Sequence, residues 1–93
     1  MIIGLLRVRL HIPDANSLKD KRSVLKRTIH RLRTNYNCAV AEVDDQDVWR
    51  SAVLAIVTVY AQKAQVESLF EAIGGELASS IEFELVEQLS EYL

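Results

Sequence analysis

The sequence predicts an α+β fold in which four antiparallel strands form one sheet and two helices cover one of its faces. Three observations carry this prediction. Four segments have the composition or alternation of strands, two others repeat apolar residues at helical spacing, and together they follow the order β-α-β-β-α-β. That order is typical of the split βαβ, or ferredoxin-like, sandwich, with a predicted spatial strand order of 4-1-3-2.

The first strand is predicted over residues 3–12, where side chains alternate between two faces. The apolar face holds Leu6, Val8, Leu10 and Ile12, and the other face holds Arg7, Arg9 and His11. Pro13 ends the strand because it has no backbone N–H to donate. Asn16 or Ser17 then offers a side-chain oxygen as an N-cap, which predicts that a helix begins there.

The first helix is predicted to run from this cap to about Tyr36. Its apolar residues recur at helical spacing, at Leu18, Leu25, Ile29, Leu32 and Tyr36. One stripe therefore faces the core, and the remaining sides carry charge. Asn35 and Asn37 are predicted to end the helix in a left-handed conformation.

A β-hairpin is predicted next. Residues 38–43 alternate weakly, and the polar residues 44–47 precede a second apolar run from Val48 to about Ala61. Residues 53–59 are apolar on both faces and rich in β-branched side chains. This composition predicts a central strand that is covered on two sides.

A second helix and a final strand complete the predicted fold. The helix has an apolar stripe at Val66, Leu69, Phe70, Ile73 and Leu77. Residues 81–86 alternate as a strand, whereas residues 87–93 receive no assignment. The predicted core under the helices consists of Leu6, Val8, Leu10, Leu25, Ile29, Leu32, Val57, Phe70, Ile73 and Phe83.

Length and composition bound the class of protein. The 93 residues suit one domain, residues 1–93, and the single cysteine, Cys38, excludes an intramolecular disulfide and a multi-cysteine zinc site. No uncharged run approaches the roughly 20 residues of a membrane-spanning helix. The apolar start is too short for a signal peptide and has its arginines on the wrong side. We therefore expect a cytoplasmic protein without a membrane span.

Charge divides the chain into two unlike parts. Residues 1–36 carry a formal charge of +7 and residues 37–93 carry −9. Such asymmetry indicates either an anionic partner for the first part or two parts that attract each other. Both interpretations stay open at this point.

Seven basic residues in the first helix are the candidate nucleic-acid-binding residues: Lys19, Lys21, Arg22, Lys26, Arg27, Arg31 and Arg33. At about 100° per residue, four of them form a strip beside the apolar stripe, namely Lys19, Arg22, Lys26 and Arg33. Arg27 and Arg31 face outward instead. The helix contains one acid, Asp20, so salt pairs within it are few. The alternative is an ordinary solvated face, neutralised by the acidic second part of the chain.

Other polar residues favour structural roles. Arg7 and Arg9 are expected to pair with Glu82 and Glu84 across neighbouring strands. The central strands lack the exposed aromatic residues of an RNA-recognition sheet, apart from Trp49 and Tyr60 near strand ends. Trp49 is expected to pack over an edge of the core, with a partner contact as the alternative.

No motif of catalysis, metal binding or cofactor binding stands out. His11, His30 and Cys38 are not at ligand spacing, and the aspartates of residues 44–47 lack the glycine and glutamate of a calcium loop. The loop after the first strand has no glycine, unlike the phosphate loop of the similarly sized acylphosphatases. We expect a protein that is not an enzyme and that holds neither cofactor nor metal.

The run Ser17-Leu18-Lys19-Asp20-Lys21-Arg22, followed by Val24-Leu25-Lys26, Ala41-Glu42-Val43 and Trp49, resembles the bacterial YlxP-like family of unknown function. The resemblance covers nearly the whole chain. It implies a small cytoplasmic ferredoxin-like protein, often encoded beside transcription-termination, translation-initiation and ribosome-binding factors, and therefore work on RNA or the small ribosomal subunit. The residues it carries over are Lys19, Lys21, Arg22 and Lys26.

The sequence thus favours a non-enzymatic protein that binds RNA or the ribosome through the basic first helix. The alternative is a protein-interaction or self-assembly module, in which that helix docks an acidic surface. A homodimer is also expected, because one set of apolar residues on the third strand must point away from the helices. The C-terminal residues 89–93 or another partner are the other candidates to cover that face.

Overall fold

The computed structural model describes residues 1–93 and contains six elements in the predicted order: β1 (Ile2–His11), α1 (Leu18–Asn35), β2 (Ala39–Asp44), β3 (Ser51–Tyr60), α2 (Lys63–Ala78) and β4 (Glu84–Tyr92). The strands form one antiparallel sheet in the order β2-β3-β1-β4. This arrangement confirms the ferredoxin-like α+β prediction and its strand order. Neither helix is both long enough and apolar enough to cross a membrane.

The core lies between the sheet and the two helices. Leu6, Val8 and Leu10 of β1 are fully buried, as their alternation predicts. Strand β3 pairs with β1 over its whole length and places Leu54 and Ile56 on the same covered face. Eight of the ten predicted core residues are therefore buried.

The prediction for Val57 is wrong, because this side chain points away from the helices and is 40% exposed. Strand β3 is apolar on both faces, so its alternation alone could not identify the covered one. Ile29 of α1 is half-buried at the margin of the core rather than inside it.

Helix α1 begins where the sequence predicts. The Ser17 hydroxyl accepts a hydrogen bond of 3.1 Å from the Asp20 N–H, and the Asp20 carboxylate accepts one of 3.0 Å from Asn16. The predicted left-handed exit at Asn35 and Asn37 is wrong, since neither residue has a positive φ, and the cap residue Tyr36 is extended with φ of −132°. Asp45, with φ of 59°, is the one residue of the chain in the left-handed region.

Strand β4 lies further along the chain than predicted. It spans Glu84–Tyr92, so the last residues form an edge strand instead of covering the open face of the sheet. Backbone hydrogen bonds of 2.8 and 3.2 Å join Leu93 to Ile3 and extend this pairing with β1. The helix-facing positions Gln88 and Ser90 are polar, which hides the strand's alternation in the sequence.

Candidate nucleic-acid interface

Helix α1 rests on the sheet through four buried residues, Lys21, Leu25, Thr28 and Leu32. Their spacing of four, three and four residues places them on one face of the helix. A lysine therefore belongs to the buried stripe. The other six basic residues of the helix are exposed and differ in the partners they meet.

Lys21 is the residue whose placement the structure corrects. Its side chain is 1% exposed, and Nζ lies 2.8 Å from Glu42 Oε2. The same ammonium donates hydrogen bonds to the carbonyl oxygens of Asp45, at 2.6 Å, and Val48, at 2.8 Å. Because the ammonium is buried against these protein atoms, Lys21 holds the loop between β2 and β3 and does not form part of a surface for nucleic acid.

Arg27 and Arg31 remain exposed, but each has an acidic partner from the C-terminal part of the chain. Arg27 pairs with Glu82, and Arg31 Nε lies 3.2 Å from Glu76 Oε2. The Tyr36 hydroxyl donates a hydrogen bond of 3.2 Å to Glu76 Oε1. Burial, together with the negative charge of Glu76, raises the pKa of Tyr36. This flank of the helix is locally neutralised.

The remaining four basic residues, here called the basic strip, are Lys19, Arg22, Lys26 and Arg33. None of them takes part in an ion pair. Arg33 donates a hydrogen bond of 2.7 Å to the carbonyl oxygen of Val40 on the edge strand β2. At a rise of about 1.5 Å per residue, the basic strip is about 21 Å long. It is a row of cations without carboxylate partners.

A groove of about 660 Å³ runs between α1 and β2 beside the basic strip. The helix side is lined by Lys26, Arg27, Ile29, His30 and Arg33, and the strand side by Val40, Ala41 and Glu42. Strand β2 is a sheet edge, so its outer backbone groups are not paired with another strand. The groove thus offers cationic side chains along one wall, and backbone polar groups together with the Glu42 carboxylate along the other.

The opposite face of the sheet carries arginines that are already paired. Arg7 Nη2 lies 3.5 Å from Asp44, while Arg9 pairs with Asp45 and, at 3.1 Å, with Glu87. The predicted partners Glu82 and Glu84 are wrong, because β4 starts later than predicted. A hydrogen bond from Ser51 and the nearby Arg9 lower the pKa of Asp45.

The side chains that could bind a metal ion are not clustered. No group of three or more His, Cys, Asp or Glu side chains is arranged to hold a metal ion. Cys38 is half-buried, and this burial raises the pKa of its thiol.

Two residues near the interface were not assigned their roles from the sequence. His30 lies in the groove, and its spacing of four from Lys26 and three from Arg33 could have placed it there. Glu42, the partner of Lys21, carries no comparable signal, because the pair joins α1 to β2 across 21 residues.

Comparison with known proteins identifies one family. The family described as "protein of unknown function (DUF503)" matches residues 3–89 of the chain. The chain is also 33% identical over 72 residues to the "Uncharacterized protein YlxP" of Bacillus subtilis (strain 168), a match that covers 77% of this chain and 78% of that protein.

Proposed function

The chain belongs to the DUF503 family of proteins of unknown function, and we propose that it is a non-enzymatic, cytoplasmic RNA-binding protein that associates with the ribosome. The observation that carries this proposal is the basic strip. Lys19, Arg22 and Lys26 are exposed and lack acidic partners, whereas the other lysine and two arginines of α1 have them.

Unpaired cations in a row fit a polyanion better than a single charged ligand. Phosphates of a nucleic acid release condensed counterions when lysine and arginine neutralise them, and this release drives binding. The acid on α1, Asp20, accepts a hydrogen bond from Asn16 and pairs with none of the basic strip. Contacts of this kind fix the position of a nucleic acid without reading its sequence.

Salt dependence is the experiment that tests the proposal. If the basic strip contacts three or four phosphates of a single strand, log K should fall with log salt at a slope of roughly −2 to −3. The measurement uses fluorescence anisotropy with a labelled single-stranded fragment of small-subunit ribosomal RNA between low and physiological ionic strength. Co-sedimentation with ribosomal fractions, lost after RNase treatment, tests the ribosome in parallel. Absence of RNA binding at low ionic strength would refute the proposal.

A second candidate is self-assembly through the open face of the sheet. This face exposes Val57, Val59 and Leu89, which are 40%, 49% and 64% exposed. With two-fold symmetry the same apolar patch of each copy would cover that of the other. These features support a homodimer in which the helices stay outside.

The homodimer is tested by light scattering at high micromolar concentration, where wild-type protein should have twice the mass of the chain. Val57→Lys should give the mass of one chain, while Val48→Lys, at a valine of the β2–β3 loop that is 47% exposed, should not change the dimer. A wild-type monomer would refute self-assembly. Retention of an acidic protein by α1, without affinity for RNA, would instead favour the interaction module over the RNA proposal.

A further inference from the structure

We infer that Trp49 forms a stacking platform for a base of single-stranded RNA at one end of the basic strip. This inference rests on the proposed function and adds the class of nucleic acid. Trp49 lies in the loop between β2 and β3, and 51% of its surface is exposed. An exposed indole combines a large apolar ring with a polar N–H, and such side chains are enriched at interfaces.

The ring of Trp49 takes part in neither an aromatic pair nor a cation–π contact. The aromatic pair of the structure joins Phe70 to Tyr92, and its cation–π contact joins Lys63 to Tyr92. Both lie at α2 and β4, away from the β2–β3 loop. No aromatic or cationic side chain of the protein therefore occupies the exposed part of the indole.

The loop around Trp49 is held firmly by its neighbours. Lys21 donates to the carbonyl oxygen of the preceding residue, Val48, at 2.8 Å. The guanidinium of the following residue, Arg50, donates to the Ala15 carbonyl at 3.0 Å and to Asn16 Oδ1 at 3.1 Å. Both sides of Trp49 are tied to the start of α1, so the backbone that presents the ring is ordered before any ligand binds. Such preorganisation lowers the cost of binding.

The same contacts place Trp49 at the end of α1 where the basic strip begins. The residues on either side of Trp49 bind Lys21, Ala15 and Asn16, and the first member of the strip, Lys19, lies in the first turn of the same helix. The groove between α1 and β2 follows the strip further along, from Lys26 to Arg33. A strand whose phosphates follow the basic strip thus has a base within reach of the indole at one end.

Aromatic stacking distinguishes single strands from duplexes. In a duplex the faces of the bases are already stacked on each other, whereas the unstacked bases of a single strand can stack on an aromatic side chain. Asp47 makes no ion pair and adds one negative charge two residues before Trp49. Phosphates are therefore expected along the basic strip, away from Asp47, with the base on the ring.

The test uses the intrinsic fluorescence of the protein, because Trp49 is the one tryptophan of the chain. A ten-nucleotide single-stranded oligoadenylate should quench this fluorescence, and a blunt RNA duplex of ten base pairs should not. By anisotropy, Trp49→Ala should weaken binding of the labelled single strand by about 5- to 100-fold and leave duplex binding nearly unchanged. Trp49→Phe, which keeps a stacking ring, should retain most of the affinity.

The outcomes separate the inference from the proposed function. If wild-type protein binds the single strand without quenching, and Trp49→Ala binds it equally well, the stacking role is refuted while RNA binding stands. Equal quenching by the duplex would refute the preference for single strands. If wild-type protein binds neither probe at low ionic strength, RNA binding and the stacking role both fail.

Discussion

Lys21→Met is expected to lower the free energy of unfolding by about 3–5 kcal/mol, the usual cost of removing one partner from a buried ion pair. The substitution keeps the length and apolar stem of the side chain but removes its charge. Glu42 then stays in a largely buried position without its cation, and the carbonyl oxygens of Asp45 and Val48 lose their donor. Urea denaturation followed by circular dichroism measures the loss.

Lys26→Met is the matched control for this experiment. It makes the same substitution at an exposed position of α1 that has no ion pair, so a change within about 0.5 kcal/mol is expected. The double variant Lys21→Met/Glu42→Gln should cost less than the sum of the two single substitutions, because both remove one interaction. Equal effects of Lys21→Met and Lys26→Met would contradict the structural role of Lys21.

Periodicity predicted most of the fold because the helices and β1 each have one face toward the core. Leu6, Val8 and Leu10 alternate without interruption, and the stripe through Leu25 and Leu32 keeps helical spacing. A local pattern of this kind does not depend on which distant residues cover it. Strand order followed from the order of the elements and from the polar character of the edge strands.

The predictions for Val57 of β3 and for the bounds of β4 were wrong because the local sequence pattern does not show which residues of these strands face the helices. Val57 and Ile56 are both apolar, so the covered face of β3 depends on its pairing with β1 and not on its own sequence. In β4, polar Gln88 and Ser90 face the helix side of the sheet, so the strand does not show the alternation of a half-buried strand. In the structure, the register of pairing with β1 determines which residues of β3 and β4 face the helices. Register depends on residues that are distant in sequence, so a local pattern does not reveal it.

Long-range contacts also limited what the sequence could predict about the candidate interface. Charge and helical spacing predicted which residues could form a basic strip, but they did not show which of the seven cations of α1 are paired with acids from the second part of the chain. Partners for Lys21, Arg27 and Arg31 come from distant parts of the chain, and these contacts divide the cations into structural and exposed groups. The acidic second part of the chain therefore compensates one flank of the helix and leaves the basic strip open.

The basic strip itself is tested by Lys19→Glu combined with Lys26→Glu, which should abolish salt-dependent RNA binding while the fold stays intact. Each lysine that contacts a phosphate adds about one unit to the salt slope, so loss of two removes most of the expected slope, and the new carboxylates repel the backbone. Both side chains are exposed and have no partner to lose. Lys19→Glu also places an acid in the first turn of α1, where the helix dipole favours it.

A charge-matched control is Arg7→Glu combined with Lys63→Glu, which changes the formal net charge by the same amount at the open sheet face and on α2. Anisotropy with the single-stranded ribosomal RNA fragment should show near wild-type affinity for this control and none for the Lys19/Lys26 variant, with unchanged circular dichroism in both. If the two variants lose affinity equally, net charge alone governs binding and α1 is not the interface. If the Lys19/Lys26 variant binds as wild type does, the RNA contact lies elsewhere on the protein, because reversing two of the four charges in the basic strip cannot leave a phosphate contact there unaffected.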